Sequence, residues 1–189
     1  MITITAGHSN TDPGAVNGLF READIAQDMR NMVSLYLTRA NIEHRTDGEG
    51  KGNLPLNQAV KLINGSKVAV EFHCNAAASK AAKGVEALAH SKDKVISQKL
   101  CKAVADVLGS PLRGDKGWKA ENSGQHSRLA YVQHGGIILE LFFISNDAEL
   151  QAWYDKKWLV AKAVAEVLIE MAQDWLQGMR DSLKVRWNK

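Results

Sequence analysis

Hydrophobic and polar positions in this chain switch repeatedly between a period of two and a period near 3.6. Residues 2–6, ITITA, are β-rich and stop at Gly7, which predicts a short first strand. From residue 19 to about 40 the spacing changes. Ile25, Met29, Met32, Val33, Tyr36 and Leu37 fall three and four apart, the stripe of an amphipathic helix. Residues 42–46 read as a second strand, the glycine-rich stretch 47–53 as a loop, and 56–63 as a second helix. The run KVAVEF over 67–72 is β-rich and ends at His73. Alternation there puts Glu71 and His73 on one side of the strand, Phe72 and Cys74 on the other.

The second half follows the same rhythm. A small-residue linker, 76–83, leads into a short strand over 84–90 and a helix over 95–108, with Leu100, Val104, Val107 and Leu108 on its apolar face. Residues 110–127 read as a long polar loop carrying Arg113, Gly114 and Trp118. Residues 129–132 are expected to form a strand, and 137–143, the most apolar stretch, a central buried strand. Val160, Val164, Val167, Leu168, Met171, Trp175 and Met179 keep helical spacing to the end. The expected fold is therefore α/β: a single domain with a twisted, mostly parallel sheet, helices on both faces and a long C-terminal helix. Residues 1–170 form the domain in this reading, and 171–189 a basic amphipathic extension of it.

Composition narrows the class. With 45% hydrophobic residues, 24% charged and only 3 prolines, the chain is globular, neither disordered nor collagen-like. A net charge of +3 is that of an ordinary soluble surface, and no nucleic-acid partner is expected. Cys74 and Cys101 make no disulfide framework. The N-terminus shows no basic segment followed by a long apolar one, so no export signal is expected. A monomer is expected.

Four residues carry candidate chemistry: His8, Glu22, His73 and Glu140. His8 and His73 follow strand-like runs and Glu140 lies within one, and ligands of open α/β sheets bind at strand ends. Two imidazoles and a carboxylate suit zinc with a position left for water, and a spare carboxylate can act as base. Glu22 sits near the start of the first helix, where the helix dipole favours a negative charge. Glu140, inside IILELFF, is costly to bury without a partner. Either a metal-bound water or a buried Arg or Lys would satisfy it. Each residue also has a plain structural reading, as loop polar, surface acid or satisfied core histidine.

The segment GHSNTDPGAVNG followed by FREAD resembles the opening motif of the zinc-dependent N-acetylmuramoyl-L-alanine amidases of the amidase-3 type. EFHCNA resembles the SxHxNA motif of that family, and LELFFISNDAE its late motif. GVEAL and RGDKG also fit, in order, over residues from about 2 to about 168. The resemblance implies that His8, Glu22 and His73 bind zinc and that Glu140 is the catalytic base. It further implies peptidoglycan as substrate, cut between N-acetylmuramic acid and L-alanine. Cys74, Leu141 with Phe142, and Ser9 depart from the usual residues without removing a ligand. Cys74 is a possible rival thiolate, though alternation points it away.

A compact phage endolysin fits best: made in the host cytoplasm without a signal peptide, and acting on the wall in the periplasm after holin-type release. Residues 76–83 are too short for an inhibitory helix, so an open site is expected. Other readings remain open at this stage: a zinc carboxypeptidase or peptide amidase, or a non-catalytic wall-binding protein. His126, His134 and Arg113 are further candidates for substrate contact, and His44 and His90 read as structural. Tryptophan and basic residues interleaved after Met171 suggest a transient contact with anionic membrane, or simple packing on the domain.

Overall fold

The computed structural model describes all residues except 10, 122, 124–128 and 188–189, with side chains of the last helix described to residue 182. His126 and the basic and aromatic residues beyond 182 therefore lie outside the described side chains. Eight strands and five α-helices are described, with one short 3-10 turn. They run β1 (Ile2–Ala6), β2 (Val16–Asn17), β3 (Phe20–Arg21), α1 (Glu22–Arg39), β4 (His44–Thr46), α2 (Leu56–Leu62) and β5 (Val68–Asn75). Then come β6 (Glu86–Leu88), α3 (Lys94–Leu108), β7 (Trp118–Lys119), α4 (Ala130–Gln133), β8 (Ile137–Phe143) and α5 (Asp147–Trp187).

Six strands make the main sheet in the order β4-β1-β5-β8-β6-β7. The first four are mutually parallel, β6 runs antiparallel to β8, and β7 is parallel to β6. β1 and β8 are buried along their whole length, β1 alternating Ile and Thr and β8 apolar except for Glu140. The two faces are covered unequally. Ile4, Val70, Phe72, Leu139 and Leu141 pack against α1, α3 and α5 in the main core. Ala69, Leu88 and Ile138 face a smaller cluster with Val60 of α2 and Tyr131 and Val132 of α4. Glu71, His73, Glu86 and Glu140 alternate onto this thinly covered side.

Several local expectations change. Residues 129–132 do not form a strand: Ala130–Gln133 is one helical turn. Gly135 closes it at φ 93°, and the Gly136 N–H donates to the Tyr131 carbonyl. Residues 110–127 are not all loop, because Trp118–Lys119 extends the sheet beside β6. The first helix begins at Glu22, after a small hairpin of β2 and β3. Asn146 caps the last helix, its Oδ1 accepting from the N–H groups of Ala148 and Glu149. That helix runs 41 residues without a break past residue 170, a length of about 60 Å at helical rise. No described helix is long and apolar enough to cross a membrane.

Candidate metal centre

Parallel pairing of β1 and β5 brings the residues after one strand beside the end of the other. The Gly7 N–H donates to the Phe72 carbonyl, so His8 arrives next to His73. His8 has φ 64°, a left-handed conformation uncommon outside glycine. The Asn53 amide supports it, donating to the carbonyl of His8 at 2.6 Å. Gly7 must lack a side chain, since a Cβ there would lie 2.3 Å from the His73 ring. At Gly14, φ +66°, a Cβ would lie 2.6 Å from both Glu22 and His8.

Glu22 is fixed by the turn that starts α1. Its Oε2 accepts from the Ala15 N–H and its Oε1 from the Cys74 N–H, each at 2.9 Å. The same Oε1 lies 3.1 Å from His8 Nε2 and 3.0 Å from His73 Nδ1. One ligand atom from each of the three residues falls within 4.8 Å of the others. A tetrahedral ion such as zinc, with bonds of about 2.0–2.1 Å, spaces its ligand atoms about 3.3 Å apart. The donor types and separations therefore suit such an ion.

The far ring nitrogens are occupied as well. His8 Nδ1 meets Asp12 Oδ2 and His73 Nε2 meets Glu71 Oε2, both at 3.0 Å. Neither acid stands out as a site residue in the sequence. The signal for Glu71 was its shared side with His73.

Burial opposes charge on Glu22, but hydrogen bonds and charge from His73 and His8 hold its carboxyl far below the usual range. Burial likewise disfavours charged His8 and His73, yet Glu22, with Glu71 helping His73, raises both. The carboxylate thus attracts positive charge to this spot, which a divalent cation supplies more strongly than a proton.

Glu140 lies in register with His73 across the β5–β8 ladder, and with Glu86 across β8–β6. Burial pushes its carboxyl up to about 7, with Glu22 and Glu86 adding to the rise against the attraction of His73. Its Oε2 is buried without a hydrogen-bond partner. Among the described residues no Arg or Lys partners it. Those cations serve Glu86 instead, which accepts from Arg113 Nε and, at 2.8 Å, pairs with Lys119. Arg113 is thus a structural tie, lying also over the Phe143 ring.

Cys74 turns into the main core and its thiol is raised well above normal by burial, so it is no rival ligand. His134 is exposed at the end of α4, its Nδ1 2.7 Å from the Ala130 carbonyl, and does not join the cluster. His44, between Ser34 and the Ile42 carbonyl, is structural. A cavity of about 310 Å³ opens beside the cluster, lined by His8, Asp12, Leu54, Leu56, Glu71 and His73. Among the described residues no inserted helix covers it.

A ligand triad at parallel strand ends, with a separate buried carboxylate on the same face, is the layout that metal-assisted hydrolysis requires. Comparison with known proteins makes the class specific. Residues 2–170 match the Amidase_3 family, N-acetylmuramoyl-L-alanine amidase, and the chain belongs to that family. A structure from Neisseria meningitidis, provisionally named N-acetylmuramoyl-L-alanine amidase, is 56% identical, with TM-score 0.84 over 90% of this chain and 94% of that one. The catalytic domain of CwlV, an N-acetylmuramoyl-L-alanine amidase from Bacillus (Paenibacillus) polymyxa var. colistinus, shares the fold at 24% identity and TM-score 0.78, covering 91% and 97%. So does the catalytic domain of the CD27L endolysin targeting Clostridia difficile, at 19% identity and TM-score 0.65, covering 89% and 96%. A comparison with curated proteins finds no match.

Proposed function

We propose that the chain hydrolyses the amide bond between the lactyl group of N-acetylmuramic acid and L-alanine in peptidoglycan, as a zinc enzyme. His8, Glu22 and His73 hold the ion in this reading. Zinc bound there supplies Lewis acidity, acidifying a water and polarising the scissile carbonyl. Glu140 takes the proton of the attacking water and returns it to the departing L-alanine amine. The observation that carries this reading is Glu140 itself: a buried carboxyl, raised to about 7, with Oε2 unpartnered and His73 directly across the ladder. A wall-binding role would leave that costly acid without a use.

Dye release from purified peptidoglycan, with and without chelator, tests hydrolysis and metal dependence together. Mass spectrometry of the products then names the bond. Stem peptides beginning with L-alanine are expected, and cleavage inside the stem would overturn the assignment in favour of a peptidase. His8→Ala and His73→Ala should lose bound zinc along with activity, read by metal analysis.

We further propose an endolysin role, acting on the wall after release from the cytoplasm. The uncovered cavity supports it, since a lytic enzyme has no need of an inhibitory lid. Expression in cells with and without a co-expressed holin tests the idea. Lysis confined to the holin-containing culture is the expected result, and its absence there would end the proposal.

A further inference from the structure

The structure assigns Glu71 as the positioning residue that fixes His73 as a metal ligand. This rests on the proposed metal site and adds a residue to it. Glu71 lies two positions before His73 on β5, so both side chains leave the same face of the strand. Its Oε2 is 3.0 Å from His73 Nε2, while Nδ1 of the same ring is 3.0 Å from Glu22 Oε1. A carboxylate can only accept, so each ring nitrogen donates to its carboxylate while the ring is protonated. An ion at the cluster displaces the Nδ1 proton and leaves Nε2–H donating to Glu71. With the ion bound, the Nδ1 lone pair faces the ligand cluster and the bond to Glu71 holds the ring in that tautomer.

Two further features hold this arrangement. The Gly7 backbone lies so close against the His73 ring that a side chain there would overlap it. Glu71 is itself confined, its side chain 5% exposed against 64% for Asp12, which plays the equivalent part at His8. A hydrogen bond to a buried carboxylate is stronger and less exchangeable than one at the surface. Glu71 therefore sets the tautomer and ring angle of His73 and raises its donor strength, the role such outer partners have towards metal-bound imidazoles. The motif that EFHCNA resembles has serine at this position, so the carboxylate is a departure from that motif in this chain.

The experiment measures zinc affinity by chelator competition for the full chain and its Glu71→Ala and Glu71→Gln forms. Thermal melts with and without zinc accompany it. Glu71→Ala should weaken zinc binding about 10- to 100-fold. Glu71→Gln should recover most of that loss, because its amide oxygen can still accept from Nε2–H. Nitrogen-15 NMR of the histidines should show the Nε2-protonated tautomer of His73 in the zinc-bound wild type and Gln forms. A tautomer mixture is expected for Glu71→Ala. Equal zinc affinity in all three proteins would overturn the assignment while leaving the metal site intact. So would a loss of melting temperature in Glu71→Ala that is the same with and without zinc, because it marks a packing role only. Failure of the wild type to bind zinc would overturn the metal site and this inference together.

Discussion

Burial of Glu140, the proposed base, comes at a cost to the fold. Its ordinary value is 4.5 and burial lifts it to about 7, so the native protein binds its proton more tightly than the unfolded chain. The sign follows directly. Its favourable contribution is complete below the unfolded value and disappears as pH rises through about 7. Above that the native state carries a buried charge without a partner for Oε2. Glu140→Gln should therefore melt higher than wild type at pH 8 when both are stripped of metal, by on the order of 3 kcal/mol in stability. The gap should close by pH 4. The same variant should retain zinc and lose about 10²- to 10⁴-fold in peptidoglycan hydrolysis. Wild-type hydrolysis by this variant would sink the role of Glu140. His8, His73 and Glu140 were legible as candidates because each follows or interrupts an apolar run, and Glu22 because it opens a helix. Glu71 and Asp12 were not legible as partners, since that requires knowing which ring nitrogen faces the ligand cluster.

Elements here are tied by a few buried polar contacts. Arg30 of α1 is fully buried and pairs with Asp47, after β4, at 3.0 Å. Asp47 also accepts from the Ala6 N–H, so one ion pair links α1, the 47–53 loop and the end of β1. Asp47→Ala leaves a guanidinium buried with its charge unpaired. Such a loss costs about 3–5 kcal/mol, and melting should fall by about 10 °C. A shift under about 2 °C in a thermal scan would show that the pair is not holding these elements. Longer elements were read correctly from periodicity, and the misses are short. Four residues, 130–133, span barely one helical turn and show no period to separate them from a strand. β7 has two residues and exists through its parallel pairing with β6, a non-local contact. The β2–β3 hairpin did leave a signal in Asn17-Gly18, a turn pair, which the dense loop composition obscured.

At the scale of the molecule, the last helix serves two regions. Up to Ala172 it buries Trp153, Val160, Val164 and Leu168 in the main core, and Trp175 still packs against that core. Beyond this, Leu176 is 49% and Met179 60% exposed. Deleting residues 178–189 should shift melting by less than about 2 °C, whereas deletion from 172 onward removes apolar burial worth about 1–3 kcal/mol. The shorter deletion also checks the membrane expectation: sedimentation with anionic vesicles that is unchanged by it would end that idea. Chain order has a different consequence. His8, Glu22 and His73 all come from the first 75 residues, just after β1, on α1 and on β5, while Glu140 enters with β8 near the far end. During synthesis the proposed ligand set is complete long before the proposed base exists. An ion captured early would stitch three separate segments and bias the order of assembly. Refolding with zinc present should therefore show metal uptake preceding the return of hydrolytic activity, as followed by stopped-flow with a zinc indicator and timed activity assays. Simultaneous recovery of both would mean that the sheet closes before the ion can enter.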